Sequence, residues 1–287
     1  MRSKTRLAGV GSVIFALAAS AGEPYPVRGR VVETAPEARE MTVALAEVPD
    51  GAPWKAGDTA TFRIGEGAAA IGYAQGRAVR GKAVRENEAW LLRSIFPIDL
   101  PGRKAMRDQN AILRRETASM ARPEPLARGD RVPGFALIDQ RGEIVHARQL
   151  RGRPFVMNFI FTRCPMPKMC PAATRRMAKL QEMARAAGLD DLRFVSLSFD
   201  PAYDSPGVLR EYAESYGVAG DTFHFLTGPE QVVDDLLKRF GVIAREEDGT
   251  INHTMSTLLV DATGRIVYRK NGSRWDPETF LRRAKAL

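Results

Sequence analysis

The chain has 287 residues, 44% of them hydrophobic and 27% charged, with a formal net charge of +9. That is apolar material enough for two ordinary domains, and it excludes disordered and repeat architectures. The basic excess is spread along the chain without interleaved aromatics, which argues against nucleic acid as a partner.

At the N-terminus Arg2, Lys4 and Arg6 precede an apolar run over 7–19, and Ala19-Ser20-Ala21 reads as a small-residue cleavage site. Residues 1–21 are therefore expected to be a secretory signal peptide. The run is too short for a comfortable membrane span, and no later segment approaches ~20 apolar residues. The expectation is an exported, periplasmic protein that touches membranes at most peripherally, with an uncleaved signal acting as an anchor as the alternative. No cysteine follows the signal, which argues against lipid attachment. Cleavage removes three of 43 basic residues and leaves 40 against 34 acidic ones.

Residues 22–99 carry five short strand patterns, at 27–32, 40–48, 58–64, 77–85 and 89–95, with Met41, Val43 and Leu45 alternating at period two. They predict a small antiparallel barrel of the OB type. The segment resembles the small periplasmic Cu(I)/Ag(I)-binding barrels of the CusF type through Arg28-Gly29-Arg30-Val31-Val32 and Lys55-Ala56-Gly57-Asp58-Thr59-Ala60-Thr61-Phe62. That family binds metal with a histidine, two methionines and a tryptophan, whereas this segment has Trp54 and Met41 but no histidine. It reads as a structural or docking module. Residues 100–128 follow as a helical linker: 103–120 is polar and helix-favouring, and Ala121-Arg122-Pro123-Glu124-Pro125 stops it.

From 129 to 287 strands and helices alternate. Patterns at 135–138 and 143–145 flank Asp139-Gln140-Arg141-Gly142, a hairpin signal. The apolar run 155–161 is a buried strand, and Pro171 opens a helix with Met177, Leu180, Ala184 and Ala187 at helical spacing. A buried strand at 194–199, a helix capped by Ser205-Pro206, a strand at 223–226 and a helix at 229–240 come next. A hairpin around Asp261-Ala262-Thr263-Gly264 and a helix from Asp276 end the chain. This order is what an α/β thioredoxin-like sheet requires, and open α/β sheets do their chemistry at strand carboxyl ends.

Both cysteines, Cys164 and Cys170, sit on the loop between the 155–161 strand and its helix. In an oxidising compartment two cysteines pair by default. A bridge closing so short a loop stabilises by only about 2 to 3 kcal/mol, so the placement argues for chemistry, a redox-active disulfide or a metal site. A helix N-terminus favours thiolate over thiol, and Arg163 and Lys168 are expected to add positive charge beside the sulfurs.

Four motifs in order carry a more specific resemblance: Phe159-Ile160-Phe161-Thr162-Arg163-Cys164-Pro165 with Cys170-Pro171, then Ser196-Leu197-Ser198-Phe199-Asp200-Pro201-Ala202-Tyr203-Asp204, Leu226-Thr227-Gly228, and Asn252-His253-Thr254. Over roughly 125–287 the chain resembles the Sco/SenC family. The resemblance implies a thioredoxin-fold copper protein that helps assemble the copper centre of cytochrome c oxidase, whose copper-centre subunit, or another copper or thiol protein, would be the partner. It also implies that copper, as Cu(I) or Cu(II), is held by Cys164, Cys170 and His253. The family usually spaces its cysteines as Cys-x3-Cys, whereas here five residues separate them. The donor chemistry agrees, since thiolates are soft donors suited to Cu(I) and imidazole accepts either oxidation state. Met166 and Met169 within the loop offer thioethers, with surface packing as their ordinary role.

The remaining candidates have plainer readings. His146, on an edge strand, and His224, alternating outward between Phe223 and Phe225, read as surface or satisfied histidines. Asp200 and Asp204 read as helix-entry residues or polar contacts below the site. Two competing functions stay open. A thiol-disulfide oxidoreductase would use Cys164 and Cys170, although no proline occurs between Pro229 and Pro277 to stand opposite them as in thioredoxins. A peroxidase of this fold would set a threonine three residues before its cysteine, and Thr162 lies two before Cys164. A metal-binding chaperone rather than an enzyme is the expectation.

Overall fold

The computed structural model describes residues 23–287 apart from 66–72, 74, 118–123, 219, 248 and 249. The signal segment and part of the connector 121–125 lie outside the described residues. Strands β1 (Tyr25–Ala35), β2 (Glu40–Glu47), β3 (Thr59–Ile64), β4 (Ala78–Glu86) and β5 (Ala89–Pro97) close a barrel in the order β1-β2-β3-β5-β4. Period-two alternation sends Met41, Val43 and Leu45 of β2 and Ala60, Phe62 and Ile64 of β3 inward. One pair, β3 with β5, is parallel. The expected all-antiparallel barrel cannot close with five strands, because an odd number forces one neighbouring pair to run the same way.

Helix α1 (Leu100–Glu116) leaves the barrel directly and packs on β6 (Ala136–Asp139) and α3 (Pro206–Ser215), burying Leu113. The α/β part continues with β7 (Ile144–His146), β8 (Phe155–Ile160), α2 (Cys170–Ala186), β9 (Arg193–Ser198), β10 (Phe223–Thr227), α4 (Glu230–Phe240), β11 (Ala244–Glu247), β12 (Thr250–His253), β13 (Ser256–Val260), β14 (Ile266–Asn271) and α5 (Pro277–Ala284). Its sheet runs β14-β13-β8-β9-β10-β6-β7. The central strands β8, β9 and β10 are parallel and covered on both faces, which is why 155–160 and 194–198 are buried at every position, the polar Asn158, Ser196 and Ser198 included. The two-stranded β11–β12 hairpin was not legible, because Arg245-Glu246-Glu247 shows no apolar alternation.

The barrel and the α/β part share a core. Tyr203, late in the β9–α3 connection, and Val208, in the first turn of α3, are buried among the barrel's apolar residues, and the Phe96 and Tyr203 rings stand 6.1 Å apart. Arg103 of α1 donates to the carbonyls of Pro201 at 2.7 Å and Tyr203 at 3.1 Å, and also to that of Ala202. Arg77 of the barrel pairs with Glu211 of α3. Asp99 accepts from Gly102 N–H at 3.0 Å, from Gly207 N–H at 2.7 Å and from the Ser205 hydroxyl at 2.8 Å, so one carboxylate caps the first turns of both α1 and α3. The cap expected from Ser205 itself is absent, because its hydroxyl points to Asp99.

Candidate metal centre

Strand register explains why residues distant in sequence meet. In the antiparallel β8–β13 pair Thr257 stands opposite Asn158. Continuing that register backward along β13 and forward along β8 carries His253 to the level of Thr162, beside the cysteine loop. Parallel pairing of Ile160 with Ser198 brings the loop after β9 to the same sheet end.

Cys170 opens α2 as its first helical residue, with Pro171 second, one position earlier than the sequence suggested. Its Sγ lies 3.5 Å from His253 Nε2. On the far side of the ring His253 Nδ1 is 3.0 Å from the Ile251 carbonyl, which can only accept. Nδ1 therefore carries the proton and Nε2 presents its lone pair to Cys170. The imidazole is walled by Phe161 edge-on at 5.3 Å and by Phe199 at 4.7 Å. Burial lowers its pKa despite the Ile251 hydrogen bond, keeping the ring in the neutral form that binds metals.

Both thiols are free and buried, Cys164 at 7% exposure and Cys170 at none. A hydrogen bond from the Cys170 thiol, helped by backbone groups of Met166 and Cys170, brings the Cys164 pKa down to about 7. Burial and the neighbouring Cys164 push Cys170 well above the ordinary thiol range. The helix N-terminus thus acts as expected, but through the Cys170 backbone N–H on the other cysteine. The expected cationic help does not materialise. Arg163 turns away to pair with Asp200 at 2.5 Å, and Lys168 is exposed to solvent. Alkylation of the reduced protein by iodoacetamide, followed by peptide mass spectrometry, is accordingly expected to modify Cys164 with a midpoint near pH 7 and to spare Cys170 until far higher pH. Equal labelling of both at pH 7 would contradict that division.

Among the described residues, no three His, Cys, Asp or Glu side chains stand in finished metal-binding geometry. The Cys170–His253 pair is in place, and Cys164 lies near enough to Cys170 for each thiol to shift the other's pKa. Of the loop methionines, Met166 is 53% exposed, and Met169 packs in part against the core.

Asp200 and Asp204 do not cap a helix. Asp204 is fully buried and accepts from Thr162 N–H at 3.1 Å and from the hydroxyls of Thr162 and Ser198. Burial, then the charge of Asp200, push its pKa up to about 7 against those three hydrogen bonds. The two carboxylates fasten successive residues of the cysteine loop, Asp204 at Thr162 and Asp200 at Arg163. His146 lies on the edge strand β7 with Nδ1 2.9 Å from Glu116, and His224 of β10 has Nδ1 3.2 Å from Asp139. These carboxylates belong to α1 and to β6 respectively. Sequence reasoning missed Asp99 and Arg103, for which polar residues flanking a helix start were the only signal.

A profile of the SCO1/SenC family matches residues 124–287, leaving the barrel and α1 outside the match. The SCO1 protein homolog of Bacillus subtilis is 33% identical over 145 residues, covering 49% of this chain and 74% of that protein. A candidate copper-binding protein of Stutzerimonas stutzeri is 31% identical over 164 residues, covering 55% of this chain and 76% of that protein. Among solved structures, BsSco, a Sco-family cytochrome c oxidase assembly protein with a disulfide switch, superposes with a TM-score of 0.50. It is 30% identical, over 57% of this chain and 95% of that one.

Proposed function

The chain belongs to the SCO1/SenC family, and from that premise we propose that it is an exported copper carrier. Cys164, Cys170 and His253 hold the ion as cargo, and the chain delivers it, or prepares acceptor thiols, during assembly of the copper centre of cytochrome c oxidase. The observation that carries this reading is the His253 Nε2 lone pair facing the Cys170 sulfur at 3.5 Å. The copper-binding description of the Stutzerimonas relative and the oxidase-assembly role of BsSco support it. No helix among the described residues is long and apolar enough to cross a membrane. Export to the periplasm rests on the signal-like segment at 1–21.

The residues divide the work. Cys164, with a pKa near 7, is about half thiolate at neutral pH and is the sulfur that first meets the cargo. Cys170 gives up its proton on binding, so uptake releases acid. His253 is already neutral and held in one tautomer by Ile251. Phe161 and Phe199 keep water from the ring side. Two sulfurs and one nitrogen suit Cu(I) and leave room for an incoming acceptor ligand.

Titration of the reduced protein with Cu(I) against a chromophoric chelator is expected to give about one equivalent per chain, with His253→Ala weakening affinity by at least about 10-fold, the least that loss of even an outer partner of a metal site typically costs. Absence of binding would overturn the proposal, and unchanged affinity in His253→Ala would remove the histidine from the site.

The second reading is a thiol-disulfide oxidoreductase, favoured by the hydrogen-bonded thiol pair with its split pKa values. Insulin reduction by the copper-free protein at a rate comparable to a thioredoxin would favour it.

A further inference from the structure

The barrel lies outside the family match, yet it reaches the residue next to Cys164. The Arg163 guanidinium sits 5.8 Å over the ring of Phe96, near the end of β5, and 5.2 Å over that of Tyr203, with Nε 2.5 Å from Asp200. Its side chain is only 14% exposed. On the opposite side of the same connection, Asp99 and Arg103 hold residues 201–207 from the barrel's exit. That connection in turn holds the cysteine loop at Thr162 through Asp204 and at Arg163 through Asp200. The chain of contacts is continuous from the barrel wall to the residue before Cys164.

We propose that the barrel is a strut for the cysteine loop, and that Phe96, acting through Arg163 and Asp200, sets the position of Cys164 relative to Cys170. A loop with five residues between its cysteines has more conformations to lose than a shorter one, so its two sulfurs meet only as often as its ends are held. Arg163 is the end holding, and its planar guanidinium is clamped between an aromatic wall and a carboxylate, which a freely rotating cation would not be. The proposal does not depend on the metal carried.

The test uses the full-length protein in glutathione buffers. One glutathione disulfide takes two electrons and two protons from the Cys164 and Cys170 thiols, leaving one intramolecular S–S bond and two glutathione thiols. Phe96→Ala is expected to lower the equilibrium constant for this oxidation about tenfold, equivalent to about 30 mV. Arg163→Ala should do the same, the double variant should add nothing further, and Phe96→Tyr should restore the parent value. Should Phe96→Ala fail to fold by circular dichroism, Phe96→Leu fills the volume without the aromatic face and replaces it. Should the parent form no disulfide, the rate of maleimide labelling of Cys164 at fixed pH carries the comparison, rising about tenfold. Unchanged values in both single variants, or additive effects in the double, would overturn the proposal, the latter because Phe96 would then not act through Arg163.

Discussion

Replacing Cys170 with serine is expected to weaken Cu(I) binding by the reduced protein by more than about 100-fold, beyond the roughly 10–100-fold that loss of a merely supporting partner costs. Three effects of the structure point the same way. The substitution exchanges a soft sulfur for a hard oxygen at the position 3.5 Å from His253 Nε2. It does so where the side chain is fully buried and no water can take over the ligand position. It also exchanges a thiol that ionises on binding metal for a hydroxyl that stays protonated, so one anionic donor is lost. Competition with a chromophoric Cu(I) chelator measures the affinity directly. A Cys170→Ser protein within about threefold of the parent would place the cargo elsewhere, and X-ray absorption at the copper edge would then show one sulfur donor in both proteins.

Asp204 carries the second large effect. Asp204→Ala leaves the Thr162 N–H and the hydroxyls of Thr162 and Ser198 without their acceptor in a fully buried position, a loss of about 3 to 9 kcal/mol at roughly 1–3 kcal/mol per stranded group. Against a total of roughly 5–15 kcal/mol this is close to unfolding. Asp204→Asn should be far milder. Its carbonyl can accept from Thr162 N–H and Ser198, and its amide can donate to the Thr162 hydroxyl, which rotates to accept. The pH dependence separates the two side chains. In the folded protein Asp204 titrates near 7, well above its value in an unfolded chain, so between those values the folded state holds a proton that the unfolded state has lost. The stability contributed by that proton is complete below the unfolded value and disappears as pH rises through about 7, with a slope of up to about 1.4 kcal/mol per pH unit. Urea denaturation at pH 5 and pH 7.5 is expected to show the parent losing stability relative to Asp204→Asn as pH rises, a comparison that cancels the opposite contributions of His253 and Cys164, whose pKa values are lowered in the folded protein. A difference between parent and Asp204→Asn that is the same at both pH values would contradict the buried-carboxylate assignment.

Much of this molecule could be read before its structure. Alternation of Met41, Val43 and Leu45 identified β2 because one face of it meets the core, and the largely apolar run at 155–161 identified β8 because both faces do. The approach of His253 to Cys170 was foreseeable only by resemblance, since it depends on the register between β8 and β13, which neither segment encodes alone. The direction of Arg163 was misjudged for a related reason. A cation next to a cysteine in sequence has no obligation to face it, and here the carboxylate and rings on the β9–α3 side outcompete the sulfur. Asp99 escaped notice because its partners lie in two helices more than a hundred positions apart.

That shared carboxylate has a further consequence. A methyl group added to Gly102 would come within 2.0 Å of the Asp99 Oδ2 atom, and one added to Gly207 within 2.6 Å. Three positions in two otherwise separate stretches of chain are thus bound into one steric agreement, in which a bulkier residue at either glycine evicts the carboxylate whose two oxygens serve the two helix starts. Exchange of the front half of this protein for another module would break that agreement at 207 even though residue 207 itself was left untouched.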